Sequence, residues 1–517
     1  MNLRLTLLAV ALCGGSGCSL IYNPNNLPEP ATDGKLPPDA PDAQIILDAD
    51  PSALELTRVT PAVLVEGTGT GGGRAVVVVI EGRQIVPGAK VEIGPHGGLG
   101  VAKILVDNDK VDVSADGNMI AVPVVVEVDP ALGANDSVRL DVTVRQPGGE
   151  GEVVRTLAGG PNDEPILSLQ GLDELDDEDP EPRQLAAGVH EFSTVNITTG
   201  GLAAAANQAA PIIVRARGSI TIGGTTSVSA AGRTPGPTGG IGGVHGNGSA
   251  LMATPGTAGA GPSKGSPSGG GGGFRTAGGN GPGAGGGVSG DAGLKDLALN
   301  RGSGGAGGDG KVVLVVGGPN GGDGGGGGGT IELTAGGTMD VTVAARGGAG
   351  GAGATLNGET GGHGGGGSGG TILLRSFGAM TATADAAGGA AGGNGTGAGA
   401  PGRVRIDAPE GTLDGAHFRG PMFAANTPLI VRTEKPMLAF TAEPLMAFTL
   451  FFENEDRTNA SNQIQQTTSS TGQKTFTLTE PLFRGINHVC LFTIGADLVA
   501  RKPEAQNCVD IVYLYTP

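Results

Sequence analysis

Thr330-Ile-Glu-Leu-Thr-Ala335 returns forty-one residues later as Thr371-Ile-Leu-Leu-Arg-Ser376. At the same offset Met339 meets Met380, Val343 meets Ala384, and Gly347-Gly348 meets Gly388-Gly389. An earlier copy reads Ile212-Ile-Val-Arg-Ala216, Gly218, Ile220-Thr-Ile222, and a shortened last copy is Arg403-Val-Arg-Ile-Asp407. A fuller copy is a short strand, a glycine corner and a second short strand. Alternation along these strands sends Ile331, Leu333, Met339, Val341 and Val343 inward, and Glu332, Asp340 and Thr342 toward water. Corner-separated strands repeated along a chain predict a β-solenoid or β-helix-like region over 184–424.

Glycine fills the space between the copies, much of it in Gly-Gly-x triplets such as Gly347-Gly-Ala-Gly-Gly-Ala352. A period of three fits packed polyglycine II helices, in which the missing side chain lets backbones approach and hydrogen-bond. The competing reading is disorder, because glycine loses much entropy when ordered and brings no apolar surface. Packed polyglycine II and flexibility both stay open for 321–329 and 347–370. The stretch 245–300 carries more Ser, Thr, Pro and Asn and is expected to be flexible.

The flanks differ. Ala75-Val-Val-Val-Val-Ile80, Lys90-Val-Glu-Ile93, Val111-Asp-Val113, Met119-Ile-Ala-Val122 and Val138-Arg-Leu-Asp-Val-Thr-Val144 are β-branched runs parted by Gly, Pro, Asn and Asp, predicting a β-sandwich over 53–150. Eight of the twelve Phe lie between Phe423 and Phe492, within strand-like runs that predict a second sandwich over 425–517. Asp173, Glu174, Asp176, Asp177, Glu178, Asp179 and Glu181 crowd the end of 151–183, which is expected to be a solvated, self-repelling linker rather than a calcium site. The fold class is therefore all-β: two small sandwiches flanking a glycine-rich, solenoid-like repeat region.

Residues 1–18 read as an export signal, with Arg4 ahead of the apolar Leu5-Thr-Leu-Leu-Ala-Val-Ala-Leu12. Gly15-Ser-Gly-Cys18 resembles a bacterial lipoprotein lipobox, with Gly15 standing where Leu or Val is usual. The resemblance implies lipidation of Cys18 and an anchor in the outer membrane. The alternative is plain secretion with Cys18 a free thiol. Residues 19–52, rich in Pro and Asp, form an extended tether. Cys490 and Cys508 remain as an isolated pair, expected to form a disulfide, with two buried thiols as the alternative.

Functional signals are sparse. A net charge of −18 argues against nucleic-acid binding. The absence of Trp and presence of only three Tyr weigh against sugar recognition by stacking. Gly305-Ala-Gly-Gly-Asp-Gly-Lys311 approaches a phosphate-binding loop but lacks the following Ser or Thr, and Ser368 in Gly366-Gly-Ser-Gly-Gly370 sits in the wrong context for a nucleophile elbow. His363 is read as an outward-facing spacer. Asp340 and Asp385 are the nearest to a β-helix carboxylate pair. No catalytic, cofactor or metal residues are assigned.

Val59-Thr-Pro61, Gly67-Thr-Gly69, Val79-Ile-Glu-Gly82, Pro87-Gly-Ala-Lys-Val-Glu-Ile-Gly94 and the strand 138–144 resemble an IPT/TIG-type immunoglobulin-like domain. The whole layout resembles glycine-rich lipoproteins of environmental bacteria such as myxobacteria. These resemblances imply surface modules and no defined activity. The expected function is a non-enzymatic cell-envelope lipoprotein with a structural or adhesive role. Its expected partners are the membrane, through the lipid, and a cell-surface glycan or protein. The alternatives are a glycan-, calcium- or protein-binding module and, after it, a β-helix carbohydrate-active enzyme.

Overall fold

The computed structural model describes residues 54–515 apart from 99–101, 129–131, 135, 149–150, 159–165, 205–207, 245–269, 274–276, 281–319, 357, 395, 410, 415–416, 455–462 and 494–506. All lie within the unit Pro51–Pro517. Strands dominate, with two single-turn 3-10 segments, His96–Gly98 and Asn108–Lys110, among the described residues. The chain is all-β.

The N-terminal part is a sandwich of two antiparallel-rich sheets. One orders Glu55–Thr60, Val76–Arg83, Met119–Val128 and Ala102–Val106, and the other Val63–Val65, Leu167–Gln170, Ser137–Gly148 and Lys90–Pro95. Ile80, Ile120, Val142 and Leu169 from the two sheets are fully buried together. Burying one such side chain contributes roughly 2 kcal/mol. The sandwich runs past residue 150, because Gly151–Leu157 pairs with Ser137–Gly148 and Leu167–Gln170 pairs with both sheet partners beside it.

No linker follows. Gly171–Glu174 is the whole passage from the sandwich to the strand Leu175–Asp177, which pairs in parallel with Val195–Ile197. The acidic stretch expected to be a hinge is instead the first layer of the repeat region. Its carboxylates are used: Thr194 donates to Glu174 (2.8 Å), Asn196 to Asp176 (3.0 Å), and the Asp179 and Glu181 amides to Asp177 and Asp179. Leu175 and Leu185 supply the apolar anchors that outweigh acidic self-repulsion.

The repeat region is two parallel sheets visited alternately. One holds Gly188–Phe192, Ile212–Ala216, Thr330–Ala335, Thr371–Ser376, Arg403–Asp407 and Phe418–Arg419. We call it the docked sheet. The other, the open sheet, holds Leu175–Asp177, Val195–Ile197, Ile220–Ser227, Met339–Ala344, Met380–Asp385 and Gly411–Asp414. The forty-one-residue repeat is in register: Ile331 opposes Ile372, Leu333 opposes Leu374, and Met339 opposes Met380. Ile331, Leu333, Met339, Val341 and Val343 all enter the core between the sheets. The last copy is not cut short, since Gly411–Asp414 adds the second strand. Corner glycines stack as well, Gly337 N–H donating to Gly218 O (2.8 Å) and Gly378 N–H to Gly337 O (2.9 Å).

The described glycine between the copies is hydrogen-bonded strand to strand. Donors recur every third residue: Gly322, Gly325 and Gly328 donate to Gly362, Gly365 and Ser368, and Gly364, Gly367 and Gly370 donate to Gly351, Gly348 and Ala345. This is the hydrogen-bond period of packed polyglycine II. Alanines at the third position of the triplets, Ala349 and Ala352, are exposed. The run Gly324–Gly329 and the run 364–370, broken only by Ser368, are buried at every residue. Most of 245–300 lies outside the described residues. Its described pieces join the bundle, Gly272 N–H donating to Gly366 O and Gly279 N–H to Ala398 O (both 2.8 Å).

The C-terminal part has a three-stranded and a five-stranded sheet around Phe423, Phe440, Phe448 and Phe452. It starts a few residues before 425, at Met422–Phe423. It packs on the outer face of the docked sheet. Glu332, expected to face water, is therefore only 4% exposed, whereas Asp340 and Thr342 on the open sheet are exposed as expected. Alternation assigned the side of the sheet correctly and could not show that the side was covered. The N-terminal sandwich closes the third edge: Gly71 O accepts from Thr338 N (3.1 Å), and Val77 and Val79 pack with Val512 and Leu514.

Candidate functional site

The docked sheet carries a charged ladder on its outer face. Glu191, Arg215, Thr334, Arg375 and Asp407 occupy one register position on successive strands. At one end Asp407 is fully buried. It accepts from Arg405 Nε (2.8 Å), Arg405 Nη2 (3.0 Å) and Asn507 Nδ2 (3.0 Å), and Arg375 Nε stands 3.8 Å away. Asn507 also donates to Pro421 O (2.6 Å), so this cluster fastens the C-terminal sandwich to the stack. Charges this deep persist only when paired and hydrogen-bonded.

At the other end the ladder faces a cavity of about 380 Å³ where the three parts meet. The stack supplies Arg215, Arg217 and Arg375. The N-terminal sandwich supplies Arg74 and Val76, and the C-terminal part His488, Val509 and Asp510. Phe377 and Leu429 complete an apolar wall. Arg74 Nη2 donates to Ala424 O (2.6 Å) and its guanidinium lies 6.0 Å from the Phe423 ring, while its buried Nη1 has no hydrogen-bond partner. Burial alone pushes the Arg74 guanidinium down to about 10. Arg215 Nη1 lies 3.9 Å from Glu191, and its buried Nε is without a partner. His488 Nδ1 is 2.8 Å from Asp510 Oδ1. Burial pushes the imidazole down, but the hydrogen bond to Asp510 and the charges of Asp510 and Glu453 prevail and raise it.

Cys490 and Cys508 form the expected disulfide, joining directly opposed residues of Gly485–Thr493 and Asn507–Tyr513. A ring nitrogen of His488 and the two sulfurs lie within 4.8 Å of one another. With the sulfurs bonded to each other, this is not a thiolate donor set. A second, larger hollow of about 720 Å³ borders Asp107, Asp109 and Asp112. Two of these acids are already paired, Asp107 with Lys110 at 2.8 Å and Asp112 with Arg432.

The other residues singled out in the sequence do not converge. Asp340 is exposed on the open sheet, opposite Thr381. Asp385 is held by Arg346 at 2.6 Å. Ser368 is fully buried among glycines. His363 is half-buried and accepts the Gly353 amide through Nδ1 (3.2 Å), so it is a part of the bundle rather than an outward spacer. Cys18 and the segment 305–311 lie outside the described residues. The arginine cavity had no local sequence signal, because Arg74, Arg215 and Arg375 are far apart in the chain. No known protein family, curated protein or solved structure matches this chain.

Proposed function

We propose that this protein is a lipid-anchored scaffold of the cell envelope with a structural or adhesive role and no catalytic activity. The observation that carries the reading is the continuity of its parts. The sandwiches, the parallel stack and the glycine bundle share hydrogen bonds and buried side chains, with no articulated linker between them among the described residues. In this reading the two-sheet stack is a β-solenoid, the glycine strands stiffen its flank, and the N-terminal sandwich is an IPT/TIG-like surface module. Acylated Cys18 and the 19–52 tether hold the whole at the outer membrane. The surroundings of Asp340 and Asp385 support a non-catalytic reading, since Asp340 stands exposed opposite Thr381 and Asp385 is tied to Arg346.

The test is fractionation of the full chain in a Gram-negative host fed radiolabelled palmitate. The wild-type chain is expected to take up label and sediment with outer membranes, and Cys18→Ala to do neither. Equal sedimentation of both, or an unlabelled wild-type chain, overturns the anchor. Cleavage of a polysaccharide that is lost in Asp340→Asn or Asp385→Asn overturns the non-catalytic role.

A further inference from the structure

The junction cavity is positively charged in a chain whose net charge is −18. Arg74, Arg215, Arg217 and Arg375 line it, with His488 beside them. Two carboxylates oppose them there: Glu191, near Arg215, and Asp510, tied to His488. Among the lining residues four arginines stand against two carboxylates, and setting aside Arg375, which has its own counter-charges, leaves three against two. Arg375 has Asp407 and Glu332 as counter-charges on its own sheet. Among the described residues no carboxylate offsets the burial of Arg74. A desolvated guanidinium without a counter-ion is costly, and a ligand carrying the missing negative charge relieves that cost.

Geometry indicates what kind of anion. Arg74 Nη1 and Arg215 Nε are buried N–H groups with no acceptor among the described residues, and both belong to residues lining the one cavity. Guanidinium N–H groups bind planar carboxylates through charge-assisted hydrogen bonds, often two at a time. About 380 Å³ is more than an inorganic oxyanion fills and falls within the range of small-molecule sites. The remaining wall is apolar, with Val76, Phe377, Leu429 and Val509. Glu191 and Asp510 disfavour a ligand with several negative charges. We propose that this cavity binds a small organic monocarboxylate, its head on Arg74 and Arg215 and its apolar body against Phe377 and Leu429. Occupancy then bridges all three β parts, so such a ligand also tightens the junction.

Benzoate is the probe. Isothermal titration and thermal melting of the full chain are run with benzoate, acetate, inorganic phosphate and uncharged benzyl alcohol. Benzoate is expected to bind in the millimolar range or tighter and to raise the melting temperature in proportion to its occupancy. Acetate and phosphate are expected to bind more weakly and benzyl alcohol not at all. Arg215→Gln is expected to weaken benzoate by about tenfold or more, as for the loss of a charge-assisted contact. Its circular dichroism and unliganded melting are checked against wild type. Arg74→Gln serves as the second variant, because Arg74 also holds Ala424 and Arg215→Gln leaves that contact intact. No binding of benzoate, equal binding of benzyl alcohol, or unchanged benzoate binding by a folded Arg215→Gln each overturns the proposal.

Discussion

Gly367→Ala tests whether the glycine strands are packed or merely compact. Gly367 lies in the buried run 364–370, and its φ is not in the left-handed region, so backbone conformation is no obstacle. Space is the obstacle. A methyl carbon there would stand on the Gly326 carbonyl, 2.5 Å from its carbon and closer still to its oxygen. Carbon atoms settle at roughly 3.5–4.0 Å, so the two strands must part by about 1 Å. That displacement strains three bonds in one neighbourhood: Gly348 N–H to Gly326 O (2.7 Å), Gly367 N–H to Gly348 O (2.9 Å) and Gly389 N–H to Gly367 O (2.7 Å). At about 1 kcal/mol net for each, with about 1–3 kcal/mol for overpacking, the loss is roughly 4–6 kcal/mol. Reduced freedom of the unfolded chain returns only about 0.4–1 kcal/mol. Gly94→Ala is the control: its added carbon meets nothing within 4 Å and its φ is ordinary. Urea denaturation followed by far-UV circular dichroism is expected to show Gly94→Ala unchanged or slightly stabilised and Gly367→Ala destabilised by several kcal/mol. Agreement of the two midpoints would refute the packed bundle.

Three further outcomes follow from other parts of the molecule. Asp407→Asn leaves Arg375 and Arg405 short of a buried counter-charge and is expected to cost about 3–5 kcal/mol, whereas Asp385→Asn, at the exposed Arg346 pair, costs about 1 kcal/mol or less, both read by the same denaturation. Replacing Cys490 and Cys508 by Ser opens a loop of sequence separation 18 and is expected to lose about 3 kcal/mol, matched by wild type under a thiol reductant. His488 is raised above its ordinary 6.5, so the stability it contributes is full below that value and is lost as pH rises through the folded-state value. Proton NMR titration should place that midpoint above 6.5, and His488→Gln should remove the corresponding slope in stability.

Periodicity made the stack legible. A two-residue alternation with a matched offset placed Ile331, Leu333, Met339, Val341 and Val343 in one core, and all five are there. What covers the other face of a sheet is not periodic. Glu332 reads as a solvent position by alternation, yet it is buried under the C-terminal sandwich, as is Arg375 on the same sheet. Long-range docking also explains the acidic stretch, whose charge suggested a hinge but whose Leu175 and Leu185 complete a hydrophobic layer. The arginine cavity was beyond reach for the same reason. Its members come from separate parts of the chain and share only a position in the assembled fold.

The glycine itself holds a distinction that the sequence displays. A strand of polyglycine II has three sides. Where a triplet keeps one non-glycine residue, as at Ala349 and Ala352, that side faces solvent. Where glycine is nearly uninterrupted, as in Gly324–Gly329 and 364–370, every position is buried, the third as well as the first two. A Cβ on Gly325, Gly326, Gly328 or Gly329 would strike another backbone in each case. The exception, Ser368, is fully buried within such a run. Triplet against uninterrupted run is therefore a reading of surface against interior, in the same sense that alternation is for a strand. It predicts that Ala349→Ser is tolerated and that Gly326→Ala fails as Gly367→Ala does. Equal tolerance at the two kinds of position would show that the runs are long for some reason other than packing.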